Sequence, residues 1–166
     1  MGNRFAMALT VGAVLAGLIA APLKAGVRPL PKATVQVSVA NPATAARDLG
    51  ALINGARKSA GLPALPLNAK LSKAAQRHVD DMIRRGYFAH QAPDGSTPLK
   101  RTQKAGYKGC LVAENLSYSW KSLDIGVTEW MRSPGHRANM LNPAFREMGV
   151  GVGPNNLLVA VFATPC

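Results

Sequence analysis

A chain of 166 residues with a net charge of +12 and only 8 acidic residues has room for one domain with a real core. Its two cysteines, Cys110 and Cys166, stand in neither a CxxC nor a metal-ligand spacing, which excludes a zinc–thiolate site. The charge attracts anionic surfaces, from acidic wall polymers to phospholipid headgroups, while an aromatic content of 5% leaves little to stack on nucleic-acid bases.

Along the chain, MGNR is followed by FAMALTVGAVLAGLIAA, uncharged from Phe5 to Ala21. A short basic start, an apolar run and small residues near Ala21 and Ala25 predict a secretory signal peptide over 1–25, cut after Ala25. The competing expectation is a retained membrane anchor, for which a run of about 17 apolar residues is at the low edge. Cleavage removes Arg4 and Lys24 and no acid, so +12 falls to +10. The expectation is a secreted, monomeric protein, extracellular or periplasmic, with no further span. Export argues against nucleic acid as a partner. An oxidising compartment favours one disulfide, Cys110–Cys166, and closing so long a loop contributes about 4 kcal/mol in the chain-entropy model.

Residues 26–42, rich in Pro and small side chains, read as a flexible leader to a domain over 43–166. Asn41-Pro42 is an N-cap followed by proline at the first helical position, and Leu49, Leu52, Ile53 and Ala56 follow at helical spacing until Gly61 and Pro63. Asn68 caps a second helix with the apolar face Leu71, Ala75, His78, Val79 and Met82, stopped by Gly86. His78 on that face reads as a hydrogen-bonded core histidine. Lys70, Lys73, Arg77 and Arg84 line the other side. They form either a solvated face or, with Lys100, Arg101, Lys104 and Lys108, an anion-binding surface.

A short helix is expected from Thr97 to Ala105, an extended stretch from Cys110 to Tyr118, and a helix from Leu123 to Arg132. Two strands, from Met148 and from Leu157, close the chain around Pro154-Asn155-Asn156. The last is apolar on both faces and so covered on both. The one before alternates Met148, Val150 and Val152 with Gly149, Gly151 and Gly153, a glycine face that admits another element closely. These patterns predict an α+β fold, a three-layer α–β–α sandwich around a short antiparallel sheet. In Ser133-Pro134-Gly135-His136, Ser133 is read as the N-cap and Gly135 as clearing space. His136 then stands at the third helical position, where the helix N-terminus disfavours its protonated form.

Four segments carry a resemblance: RGYFAHQAPDGSTPLKR (85–101), AENLSY (113–118), EWMRSPGHRANMLNPAFREMGVGV (129–152) and the closing VFATPC. Their order and spacing resemble the CAP superfamily of cysteine-rich secretory, antigen 5 and pathogenesis-related 1 proteins, in its short bacterial SCP-like extracellular branch, over roughly 46–163. The resemblance implies the same α–β–α sandwich and an open cleft lined by two histidines and two acidic residues, which in some members binds a divalent metal. Carried over by position, these are His90, Glu114 and His136. The fourth position, a glutamate in eukaryotic relatives, is Ser133 here, and Glu129, one turn earlier, is the nearest acid. His90, His136 and Glu114 could hold Zn²⁺ with an open fourth position, though no cofactor is required.

The resemblance implies a non-catalytic binding module at the cell envelope or outside the cell, with a lipid or anionic envelope component as partner. The alternative is a secreted, protease-like hydrolase using a cleft histidine as base, with Ser117 and Ser119 nearby. Neither a GxSxG elbow nor an HExxH helix is present.

Overall fold

The structure is a computed structural model that describes residues 28–30, 41–118 and 122–166; the expected signal peptide and most of the leader lie outside these residues. Asn41 caps the first helix, α1 (Pro42–Ser59), by accepting from the amides of Ala43 and Thr44. Asn68 does the same for α2 (Ala69–Arg85), and Gly86 ends it at φ 67°. The left-handed turn there is one that glycine takes without a Cβ penalty. Three further helices are α3 (Pro98–Lys104), α4 (Leu123–Arg132) and α5 (Pro134–Met140).

The chain contributes β1 (Arg28–Pro29), β2 (Tyr87–Phe88), β3 (Gly109–Tyr118), β4 (Glu147–Gly153) and β5 (Leu157–Pro165). The last three form an antiparallel sheet in the order β3-β5-β4. Apolar on both faces, β5 takes the centre. Leu158, Ala160 and Phe162 join a core with Leu49, Ile53, Val127, Trp130 and Met140, from α1, α4 and α5. Leu157, Val159, Val161 and Ala163 join the other, with Leu71, Ala75, Val79 and Met82 of α2. This is the three-layer arrangement the strand patterns predict.

The glycine face of β4 explains how α2 seats. A Cβ on Gly149 would lie inside the backbone of Leu71 and Ser72, and one on Gly151 would lie 2.7 Å from the carbonyl carbon of Ala75. With no side chains between them, helix and strand meet backbone to backbone. Gln76 uses the proximity, accepting from the Val152 amide at 3.1 Å. The disulfide joins Cys110 to Cys166, the end of edge strand β3 to the C-terminus.

Three details differ from expectation. Arg28 and Pro29 of the leader pair with Phe88 and Tyr87, and the Leu30 amide donates to Gly86 at 3.2 Å. The leader is therefore tied to the domain there, because β2 offers an unpaired edge. Ser133 is extended at the α4–α5 junction but its side chain makes no capping bond. The α5 amides begin instead with Arg137 donating to the Ser133 carbonyl at 2.8 Å. Finally, Gly135 clears nothing: no atom lies within 4 Å of a Cβ placed there.

The two kinds of glycine should separate in denaturant unfolding. Gly151→Ala must push α2 off the sheet and is expected to lose about 1–3 kcal/mol or more. Gly135→Ala should be neutral or stabilising by up to about 1 kcal/mol. Equal stability of the two variants would show that the helix–strand contact is not tight.

Candidate functional site

Edge strand β3 carries the chemistry. Alternation points successive side chains to opposite faces, so Glu114 enters the α2–α3 layer while Asn115 enters the α4–α5 layer. The Glu114 side chain is only 1% exposed. A buried carboxylate stays ionised only if it is paired and hydrogen-bonded, and both of its oxygens are engaged. Oε1 accepts from His90 Nδ1 at 3.0 Å, and Oε2 accepts from Arg101 Nη2 at 2.8 Å. The Arg101 guanidinium also donates to the carbonyls of Ser96 at 3.0 Å and His90 at 2.9 Å, so α3 and the loop before it are pinned to β3.

Because a carboxylate only accepts, His90 carries its proton on Nδ1 in the neutral ring and presents the Nε2 lone pair. The His90 side chain is 53% exposed, so that nitrogen is available to a ligand.

His78 lies beneath, buried on α2. Its Nε2 donates to the Ala89 carbonyl at 3.0 Å and is 3.8 Å from Glu114 Oε1. Tyr87 approaches Nδ1 at 3.4 Å but directs its hydroxyl proton to Asp81 at 2.7 Å. Burial lowers the His78 pKa from 6.5 to about 4, outweighing the pull of Glu114, while Arg101 adds to the lowering. The core reading holds, and this core histidine underpins the site.

His136 reaches the same strand from the other layer. Its carbonyl accepts from Asn115 Nδ2 at 3.0 Å, and Asn115 Oδ1 accepts from Asn139 at 2.9 Å, so buried Asn115 clamps α5. The half-buried imidazole has a lowered pKa, chiefly through burial and secondly through the charge of His90. Neutrality is thus as expected, but its cause is burial and a neighbouring histidine. No hydrogen bond joins His136 to His90 or Glu114 among the described residues. Glu129 stands exposed on α4, and no hydrogen bond or ion pair connects it to the histidines among the described residues.

A metal does not fit this arrangement as it stands. Among the described residues no group of three His, Cys, Asp or Glu is placed to hold one, and both Glu114 oxygens already serve Arg101 and His90. A hydrolytic arrangement is equally incomplete. Ser117 is buried beside Gly126, on the face of β3 opposite Glu114, and Ser119 lies outside the described residues. The site can hold and orient a hydrogen-bonding ligand through His90 Nε2 and the His136 ring.

Sequence reasoning missed the roles of Arg101, Asn115 and, in part, His78. Arg101 sits in a seven-residue helix beside Lys100 and Lys104, where one inward cation among outward ones leaves no periodic signal. Asn115 was legible in principle, since it follows Glu114 on a strand and must face the other layer.

Two measurements follow. Glu114→Gln leaves Arg101 facing a neutral partner and should cost about 3–5 kcal/mol by urea unfolding, whereas His90→Ala should cost less than about 1 kcal/mol. For His78 the unfolded chain binds the extra proton between pH 6.5 and about 4. Its contribution therefore falls as pH drops through that window and is constant above and below it, on the order of 3 kcal/mol in full. His136 acts in the same direction. Denaturation midpoints at pH 7 and pH 5 should differ less for His78→Gln than for the unaltered chain; an unchanged difference would remove His78 as the cause.

The profile of the CAP, or cysteine-rich secretory protein, family matches residues 51–163. Among curated proteins, the uncharacterized protein YkwD of Bacillus subtilis is 37% identical over 100 residues, 60% of this chain and 39% of that one. The uncharacterized membrane protein YlbC of the same species is 29% identical over 101 residues, 61% of this chain and 29% of that one. The chain thus spans well under half the length of these relatives. Among solved structures, an extracellular SCP-domain protein of Bacillus anthracis superposes with a TM-score of 0.68 at 28% identity, covering 74% of this chain and 41% of that one. An outer surface protein of Borrelia burgdorferi shares the fold at a TM-score of 0.66 and 23% identity, covering 80% of this chain and 98% of that one. With the sandwich in place and the profile matched over 51–163, the chain belongs to the CAP, or cysteine-rich secretory protein, family.

Proposed function

We propose that this protein is an exported binding module acting at the cell envelope or outside the cell, non-catalytic, with a ligand seated at His90, Glu114 and His136. One observation carries the reading: the buried Glu114 spends both oxygens on Arg101 and His90, which fixes the cleft and leaves no free carboxylate for acid–base work. What remains exposed is a set of hydrogen-bonding groups on a rigid strand edge, suited to recognition.

Export is supported by the uncharged run from Phe5 to Ala21 and by similarity to an extracellular protein and an outer surface protein. Among the described residues no helix is long and apolar enough to cross a membrane. The charge of +12 suits an anionic envelope partner.

The test is a pull-down against isolated envelope fractions, with a His90→Ala/His136→Ala variant alongside. Retention lost in the double variant at unchanged thermal stability is the expected result. Retention indifferent to both histidines and abolished by salt alone would overturn the cleft as the binding site. N-terminal sequencing of exported protein should begin near Gly26; a retained Met1 in the membrane fraction would overturn secretion.

A further inference from the structure

Away from the strand edge, α2 and α3 bound an open groove of about 560 Å³ with buried His78 on its floor. Six cationic and three acidic side chains line it. The acids offset part of this charge, chiefly around Arg84 and Arg85. Asp81 is held by Arg84 and Arg85, Arg85 also reaches Asp94 at 3.6 Å, and Asp80 accepts from Gln76 at 3.0 Å. Arg101 is committed to Glu114. Arg77 on one wall and Lys100 and Lys104 on the other are exposed, with no hydrogen bond or ion pair among the described residues. Positive charge therefore faces inward from both walls.

The shape narrows what could answer that charge. Arg77 on α2 and Lys100 and Lys104 on α3 are three exposed cations on two walls, more charge than a single phosphodiester answers. The lining is concave and holds no Phe, Tyr or Trp, and its one ring, His78, is buried at 1% exposure, so it offers little on which bases could stack. A planar bilayer meets the rims of a groove but not its floor, whereas a thin flexible strand can enter.

We propose that the α2–α3 groove binds a linear phosphodiester polymer without aromatic bases, its phosphates running between Arg77 and the Lys100–Lys104 pair. This site is separate from the histidine cleft. Only the choice of an envelope polymer over another base-free polyphosphate ester rests on the export reading.

Binding of a glycerol-phosphate oligomer to the full chain should be measured against salt, with three comparison probes: orthophosphate, oligothymidylate and phosphatidylglycerol vesicles. The oligomer is expected to bind most tightly. Lys100→Ala/Lys104→Ala and, separately, Arg77→Ala should weaken it about tenfold at unchanged thermal stability, and the double variant should flatten the salt slope by about 1.4. His136→Ala should bind the oligomer as the unaltered chain does, so failure of the cleft reading and failure of this one give different results. Affinity insensitive to the three cations would overturn the groove. Oligothymidylate or vesicles binding as well as the oligomer would overturn the ligand class, as would orthophosphate binding equally.

Discussion

A single ionised carboxylate inside the α2–α3 layer sets the geometry of this domain's strand edge. Glu114 is buried to 1% exposure, and a carboxylate removed from water to that extent is strongly unfavourable alone. Arg101 supplies the countercharge and, through the carbonyls of Ser96 and His90, fixes both ends of the segment that delivers His90. The histidine then meets the carboxylate's other oxygen at 3.0 Å. Removing Glu114 or Arg101 leaves the other's charge buried and unpaired, so helix α3, its preceding loop and strand β3 stand or fall together at this point, whereas water can take the place of the half-exposed His90 ring. His78 shows the same pressure from below: near a carboxylate it would gain by protonation, yet burial keeps it neutral down to about pH 4.

The opposite layer positions His136 with backbone carbonyls rather than charge pairs. Arg57, fully buried near the end of α1, donates to Pro63, Met140 and Asn142 at 2.8 to 3.1 Å. It thereby ties the end of α5 to α1. Asn115 ties α5 to the strand through the His136 carbonyl. The two histidines thus arrive by different means, His90 through its own ring and His136 through its backbone. The His136 ring is left free of a protein hydrogen bond among the described residues, as a recognition group should be.

The fold was largely legible because its strongest constraints are local or periodic. Asn41 and Asn68 start helices and Gly86 ends one through bonds within a few residues of themselves. The Gly149-Gly151-Gly153 alternation announces a close approach whatever element makes it, and α2 is that element. The family motifs named His90, Glu114 and His136, but not what satisfies the glutamate. Arg101 and Arg57 are cations that pattern reading sends to the surface, and only the finished packing shows that carbonyls and a carboxylate await them. Ser133 was legible in position, as the N-cap before Pro134, but not in the capping bond its hydroxyl does not make.

The cleft and the groove meet at Arg101, Ser96 and His78, and the chemistry of Arg101 keeps their ligands apart. Arg101 lines the groove yet its guanidinium is anchored by two carbonyls and Glu114, which no incoming phosphate can replace together. Its charge is therefore already spent on the cleft, and the field facing a groove ligand comes from Arg77, Lys100 and Lys104. Among the described residues those three side chains make no hydrogen bond or ion pair with the residues that hold Glu114. A ligand in the groove can be drawn in or expelled by salt without loosening the carboxylate, because buried pairs are screened far less than exposed cations. The two surfaces consequently respond to different variables, ionic strength for the groove and the protonation of half-buried His136 for the cleft.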